Sequence, residues 1–112
     1  MITYEDFEKV DIRVGKIVEV SDFPEAHKPA YKLKIDFGPE LGIKQSSVQA
    51  VGAHTKEELQ DSLVCCVVNF PPKQVGPFVS EVLTLGFKNN AGTGWVLIGP
   101  KSQNVDLGAR LQ

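Results

Sequence analysis

No stretch of the chain is apolar over the length of about 18 residues that a membrane-spanning helix needs. The segment from Met1 to Val14 is acidic, and it lacks the basic start and apolar stretch of a secretory signal. We therefore expect a cytoplasmic protein that does not insert into membranes.

Metal ligands and thiols are scarce, with two Cys and two His in 112 residues. A structural zinc site usually takes four such ligands, and neither a CxxC nor an HxxxH spacing is present. Cys65 and Cys66 are adjacent in an apolar run, where strand neighbours point to opposite faces. We interpret them as small hydrophobic residues, with a vicinal redox pair as the alternative.

No catalytic constellation is recognisable in the sequence. His27 and His54 fall in predicted loops, and neither has a Ser, Cys or carboxylate at a spacing typical of a triad. His54 precedes a predicted helix, and we expect it to be solvated. The sequence therefore predicts a non-enzymatic protein with no catalytic residue, no metal and no cofactor.

The charge balance argues against a dedicated nucleic-acid protein. Twelve basic and 14 acidic residues give a net charge of −2, whereas domains that grip phosphates are usually basic. Any RNA binding must then be local and weak. Because no repeat, linker or low-complexity tract interrupts the chain, we expect one domain over residues 1–112.

Alternating apolar residues predict the first strands. The run from Asp11 to Val20 predicts a strand that bends just after Gly15, because glycine inside a strand often marks a bulge. Its apolar face would consist of Ile12, Val14, Val18 and Val20. A second strand, from Tyr31 to Phe37, directs its odd-numbered residues to the core and its lysines outward.

The remaining strand signals are punctuated by turns and one helix signal. A third strand over Ile43–Val51 would bury Ser46, Val48 and Ala50. A capping box from Thr55 to Glu58 predicts a short helix near Lys56 to Gln60. Further strands are predicted over Leu63–Phe70, Val79–Phe87 and Trp95–Ile98. A helix between the third and fourth strands predicts an all-β, five-stranded OB-fold Greek-key barrel with terminal extensions.

Three sequence blocks then resemble a known family. Asp11-Ile-Arg-Val-Gly-Lys-Ile17 resembles the opening strand of the tRNA-binding domain of endothelial monocyte-activating polypeptide II, also appended to methionyl- and phenylalanyl-tRNA synthetases. Tyr31-Lys-Leu-Lys-Ile-Asp-Phe-Gly38 is similar to its second strand. A third block runs from Asn69 through Pro72 and Lys73 to Ser80.

The third block is most similar to the branch of free-standing secretion chaperones within this family. That resemblance implies a homodimer that binds unfolded or exported preproteins and works with the Sec-pathway translocation ATPase. The family's loop arginine is replaced here by Gly76-Pro77, which removes a phosphate contact. Together with the net charge, this predicts weak tRNA binding.

We expect the ligand platform on the outer face of the second and third strands, where OB folds usually bind. Its polar residues would contact peptide or tRNA, although a solvated sheet face or hydrogen bonds at strand ends are alternatives. Lys73 follows two prolines, and we expect it on a loop. The predicted platform consists of Lys32, Lys34, Lys44, Gln45, Ser47, Gln49, Asn69, Lys73 and Ser80.

Three functions remain open at this level: a chaperone for extended segments, a tRNA-binding module, and a scaffold that only dimerises. We expect an obligate homodimer. The strand Leu63–Phe70 is apolar on both faces, and the terminal segments 4–10 and 104–112 carry spaced apolar residues. The alternative is that both terminal segments fold back on their own barrel.

Overall fold

The computed structural model describes all residues from Met1 to Gln112. Three short helices accompany nine strands. The helices are α1 (Tyr4–Glu8), α2 (Gly38–Leu41) and α3 (Lys56–Leu59). The strands are β1 (Ile12–Asp22), β2 (Tyr31–Asp36), β3 (Ile43–Val48), β4 (Leu63–Val67), β5 (Lys73–Val75), β6 (Phe78–Ser80), β7 (Leu83–Thr84), β8 (Gly86–Lys88) and β9 (Trp95–Leu97).

Five antiparallel strands form a nearly closed barrel in the order β3-β2-β1-β4-β7. The two edges meet where the Glu81 amide donates to the Gln45 carbonyl at 2.8 Å. The Ser47 amide also donates to the Ser80 hydroxyl at 3.1 Å. With α3 between β3 and β4, this is the predicted OB-type barrel. Helix α3 begins after the predicted capping box, in which the Thr55 hydroxyl accepts from the Glu58 amide.

The core follows the alternation of β2 and β3. Tyr31, Leu33, Ile35 and Phe37 are buried, while Lys32 and Lys34 face outward. On β3 the predicted inward residues Ser46 and Val48 are buried, and Ala50, just beyond the strand, is buried as well. The predicted inward residues of these two strands are therefore confirmed. Successive side chains of a strand point to opposite faces, and here one face packs in the core.

The predicted bend of β1 is displaced. The register slips between Ile17 and Glu19 rather than just after Gly15, so Ile17 faces the core and Val20 rejoins it beyond the slip. Gly15 serves a different purpose. A β-carbon there would lie 2.5 Å from Cγ2 of Ile35 and 2.8 Å from the ring of Phe37.

The second half of the chain is more broken than predicted. The expected strand Val79–Phe87 is divided among β6, β7 and β8, and α2 occupies the predicted turn after β2. Lys73 lies in β5 of a β5–β6 hairpin instead of a loop. The residues between these short strands redirect the chain from the hairpin to the barrel. The alternation of apolar and polar residues does not predict such changes of direction.

The outer face of β4 is covered within the chain. On that face Val67 is buried and Leu63 and Cys65 are half-buried, while the hydrogen bond from the Cys65 amide to the Ile98 carbonyl at 3.0 Å occupies the edge of the strand. The two apolar faces of this strand therefore do not by themselves require a second subunit. Beyond Val67, the predicted strand continues as irregular chain, and Phe70 is exposed.

The end of the C-terminal segment pairs with β1 of the same chain. The Gly108 amide donates to the Val14 carbonyl at 2.8 Å, and the Val14 amide donates to the Ala109 carbonyl at 3.1 Å. The Arg13 guanidinium donates to the Gly108 carbonyl and pairs with Asp11 at 2.6 Å. Hydrogen bonding to the Asp11 carboxylate raises the pKa of Arg13 further above its ordinary value.

Candidate binding groove

One groove of about 560 Å³ opens on the barrel surface beside β3. The loop that precedes β2 contributes one part of its lining. The β5–β6 hairpin and the segment from Leu83 to Gly86 contribute others. The volume lies within the roughly 300–1,000 Å³ typical of ligand pockets. The groove is open to solvent on one side, and this shape suits a bound polypeptide segment better than a small molecule that needs to be enclosed.

Ser80 and Thr84 contribute hydroxyls to the floor of the groove, and the fully buried Ser46 holds Thr84 in place. The Thr84 hydroxyl donates to Ser46 at 2.8 Å, and Ser46 donates to the Val82 carbonyl at 3.1 Å. Ser80 donates to the same carbonyl at 3.2 Å while accepting from the Ser47 amide. Since these hydroxyls have partners inside the protein, the floor is a fixed surface that a ligand meets already ordered.

Exposed apolar side chains form another part of the groove. Trp95 and Leu83 line it, with 36% and 48% of their surface exposed. The Trp95 amide donates to the Gln49 carbonyl at 2.9 Å, which fixes β9 against the end of β3. An indole and a leucine side chain held in this way offer apolar contact area that water covers in the free protein.

The charged side chains that line the groove, Lys28 and Lys73, are both basic. His27, Lys28 and Lys73 line it, and no Asp or Glu does, although the chain has 14 acidic residues. Lys32 does not line the groove, and its ammonium lies 5.5 Å from the ring of Phe23. Phe23 in turn packs on Phe78 of the hairpin. The groove is therefore cationic in a chain whose net charge is negative.

The predicted platform residues separate into distinct groups. Ser47, Gln49, Lys73 and Ser80 come together in the lining of the groove. Lys32 and Lys34 lie on the outer face of β2, and Lys34 pairs with Glu19 at 3.5 Å on the exposed surface.

Lys44 lies away from the other predicted lysines. It pairs with Ile35, whereas Lys32 and Lys34 pair with Ser47 and Gln45. Opposed residues share a face of the sheet, so Lys44 is in phase with the core residue Ile35 and on the other side from Lys32 and Lys34. The expectation that Lys44 joins the outer face is wrong.

Gln45 and Asn69 make hydrogen bonds within the protein. The Gln45 amide group donates to the Val79 carbonyl at 2.8 Å, which joins β3 to the hairpin. Asn69 accepts from the Asp11 amide at 3.0 Å and donates to the Lys9 carbonyl at 2.8 Å, which secures the end of α1. Both match the alternative in which polar residues are partners within the fold.

Sequence reasoning missed Trp95, Leu83, His27 and Lys28 as parts of the groove. Trp95 and Leu83 stood in runs that were interpreted only as strands, and the two basic residues stood in a loop. The single tryptophan of the chain was the available signal, because tryptophan is enriched at the centres of binding surfaces.

His54 is not solvated as expected. Only 19% of its side chain is exposed. Its Nδ1 lies 3.3 Å from the Glu58 carboxylate, and its Nε2 accepts from the Leu97 amide at 3.1 Å. The ring thus joins α3 to β9, the strand that presents Trp95, and it supports the groove without lining it.

The two cysteines are free thiols. Burial raises the pKa of Cys66 to about 12, and burial also raises the pKa of Cys65. A raised pKa keeps a thiol protonated and weakly nucleophilic.

No three His, Cys, Asp or Glu side chains form a group that could hold a metal ion. None of the three short helices has the length or the apolar composition of a membrane-spanning helix.

A family model described as "Putative tRNA binding domain" matches residues 12–110. Those residues include the five barrel strands and the residues that line the groove. The chain therefore belongs to the tRNA-binding domain family, and the resemblance predicted from the Asp11–Ile17 block is confirmed.

Two solved structures are similar to the chain over its whole length. The CsaA chaperone protein from Picrophilus torridus is 52% identical, with a TM-score of 0.90 and complete coverage of both chains. The chaperone CsaA from Bacillus anthracis is 43% identical, with a TM-score of 0.91, covering all of this chain and 99% of the other. The predicted similarity to the chaperone branch is confirmed.

Curated relatives include much larger proteins. The methionine–tRNA ligase of Thermococcus onnurineus is 34% identical over 111 residues, which are 99% of this chain but 14% of that ligase. The chain thus spans a small fraction of the curated relatives it matches, and it corresponds to one part of such a ligase.

Proposed function

We propose that the chain is a non-catalytic chaperone that binds unfolded or exported preproteins and assists their secretion. The observation that carries this proposal is the open groove, which combines Trp95 and Leu83 with a fixed hydroxyl floor. The similarity to two CsaA chaperones supports it. The proposal includes a cytoplasmic location and the Sec-pathway translocation ATPase as a partner.

The edge of β5 favours an extended ligand. β5 pairs only with β6, and none of the backbone hydrogen bonds outside the ladders involves Lys73–Val75. Val75 and Phe78 flank the Gly76-Pro77 turn, so the backbone groups of Gln74 point away from β6. Those groups are free to pair with an extended segment, in the manner of strand addition.

Exchange of Trp95 for Ala tests the proposal. Trp95→Ala should weaken binding of an unfolded, reduced precursor and abolish suppression of its aggregation. Phe87→Ala is the matched control, because Phe87 is 70% exposed on the same β8–β9 hairpin but does not line the groove. Equal activity of the two variants would contradict the assignment of the groove.

We also propose that the working form is a homodimer. Met1, Ile2, Tyr4, Val105 and Leu111 are exposed on the two terminal segments. An obligate interface should bury more than about 2,000 Å² in total. Analytical ultracentrifugation at micromolar concentration decides the point, since a single monomeric species would contradict it.

A tRNA-binding function is the second candidate, supported by the family model and by Lys32 and Lys34 on the outer face of β2. Salt separates the two functions. RNA binding should weaken steeply as salt rises, because bound counterions are released. Binding of apolar segments should persist at high salt. A titration with tRNA and an unfolded precursor at low and high salt compares them directly.

A further inference from the structure

The groove combines positively charged side chains with apolar surface, and this combination restricts which peptide segments can bind in it. The lining contains His27, Lys28 and Lys73 but no carboxylate. Glu81 does not line the groove, and its carboxylate accepts the Gln45 amide at the barrel seam. Lys32 lies outside the lining, over the ring of Phe23, which packs on Phe78 of the β5–β6 hairpin.

Within a peptide ligand, basic and acidic side chains would then behave differently. A basic side chain would be repelled by the lysines, whereas a carboxylate would pair with them at the rim. Trp95 and Leu83 would contact the apolar neighbours of that carboxylate. We infer that the groove selects extended peptide segments in which acidic side chains stand beside apolar ones. This inference rests on the proposed chaperone function and adds the chemical class of its ligand.

Strand addition at β5 would let the groove read alternate side chains. Successive side chains of an extended segment point to opposite faces, so residues two apart address the same wall. Lys73 and Val75 stand two apart on β5, and both line the groove. A segment paired there can place a carboxylate near Lys73 and an apolar side chain near Val75.

The test uses three fluorescent peptides of equal length and apolar content, carrying Glu, Gln or Lys at the same positions. We expect the Glu peptide to bind most tightly and the Lys peptide least. The preference for Glu over Gln should be roughly fivefold at low salt and shrink at high salt, as expected for exposed ion pairs.

Reversal of charge provides the decisive variant. Lys28→Glu with Lys73→Glu should invert the order, so that the Lys peptide binds most tightly. Lys101→Glu is the control, because Lys101 is exposed and does not line the groove. Both target lysines are exposed, and Lys28→Gln with Lys73→Gln, which should erase the preference, serves if the reversed variant does not fold.

The outcomes separate this inference from the proposed function. Equal binding of all three peptides, still lost in Trp95→Ala, would overturn the charge selection and leave the chaperone function standing. No binding of any peptide would overturn both. If a single-stranded RNA binds more tightly than the Glu peptide and loses its binding in the charge-reversed variant, the groove serves RNA and the inference is wrong.

Discussion

The hydroxyl of Thr84 donates a hydrogen bond to the hydroxyl of Ser46 at 2.8 Å, across the seam where β7 meets β3. Both residues are buried, and Cys66 lies within 3.5 Å of the Thr84 oxygen. The pair therefore closes the barrel and orders the groove floor with the same contact.

Replacing Thr84 by Val should test this seam. The variant keeps the shape of the side chain but removes the donor to Ser46, and we expect it to lower the free energy of unfolding by about 1–3 kcal/mol. Denaturant unfolding measures the loss. Thr84→Val with Ser46→Ala should cost less than the sum of the two single changes, because both partners then become apolar. Additive costs would contradict the pairing.

Some elements were predictable from sequence because one local rule decides them. The alternation from Tyr31 to Phe37 fixes which face of β2 is buried, and the Thr55–Glu58 capping box fixes the start of α3. The division of Val79–Phe87 into three strands was not predictable, since it depends on how the hairpin meets β3.

The candidate groove was only half predictable for a similar reason. Ser47 and Gln49 followed from the phase of β3, whereas Trp95 reaches the groove through a hydrogen bond to Gln49, a partner distant in sequence. Lys44 was misplaced because it lies near the start of β3. Its alternation with the inward-facing Ser46 and Val48 already indicated the other face, and its pairing with Ile35 places it there.

Removal of residues 108–112 should destabilise the barrel itself. The segment forms three backbone hydrogen bonds with Ile12 and Val14, at 2.8, 2.8 and 3.1 Å. Each such bond contributes a net ~0.5–1.5 kcal/mol, so we expect a loss of about 2 kcal/mol or more in denaturant unfolding. Arg110→Ala, which keeps the backbone pairing, should cost less.

Sedimentation of the same truncated chain addresses the proposed dimer separately. If stability is retained while the dimer dissociates, the segment serves the interface and not the barrel. That outcome would contradict the role inferred from its pairing with β1.

Acid should weaken the connection between α3 and the loop before it. Hydrogen bonds from the Thr55 amide and then from His54 lower the pKa of Glu58 below its ordinary value of 4.5. A carboxyl whose pKa is lower in the folded state stabilises the fold above its unfolded pKa. That contribution is lost as the pH falls through the folded value.

The unfolding free energy should therefore decline as the pH falls from about 4.5, where unfolded carboxyls begin to bind protons, and Glu58→Gln should show a shallower decline. Glu5→Gln is a control on an exposed helical carboxylate. Denaturant unfolding across this window measures both slopes. Identical slopes for Glu58→Gln and the unmodified protein would contradict the assignment.

The outer face of β2 gives the clearest test of RNA binding. Lys32 and Lys34 share that face, whereas Lys44 is in phase with the buried Ile35. If tRNA binds the outer face, Lys32→Ala with Lys34→Ala should weaken binding and reduce the slope of log affinity against log salt by about one for each phosphate contact removed. Lys44→Ala removes one positive charge, as each of the two single changes does, and should leave the slope unchanged. Fluorescence titration of labelled tRNA over a series of salt concentrations measures the slopes. An equal effect of Lys44→Ala would mean that RNA responds to the charge of the whole chain, and the outer face would then have no special role.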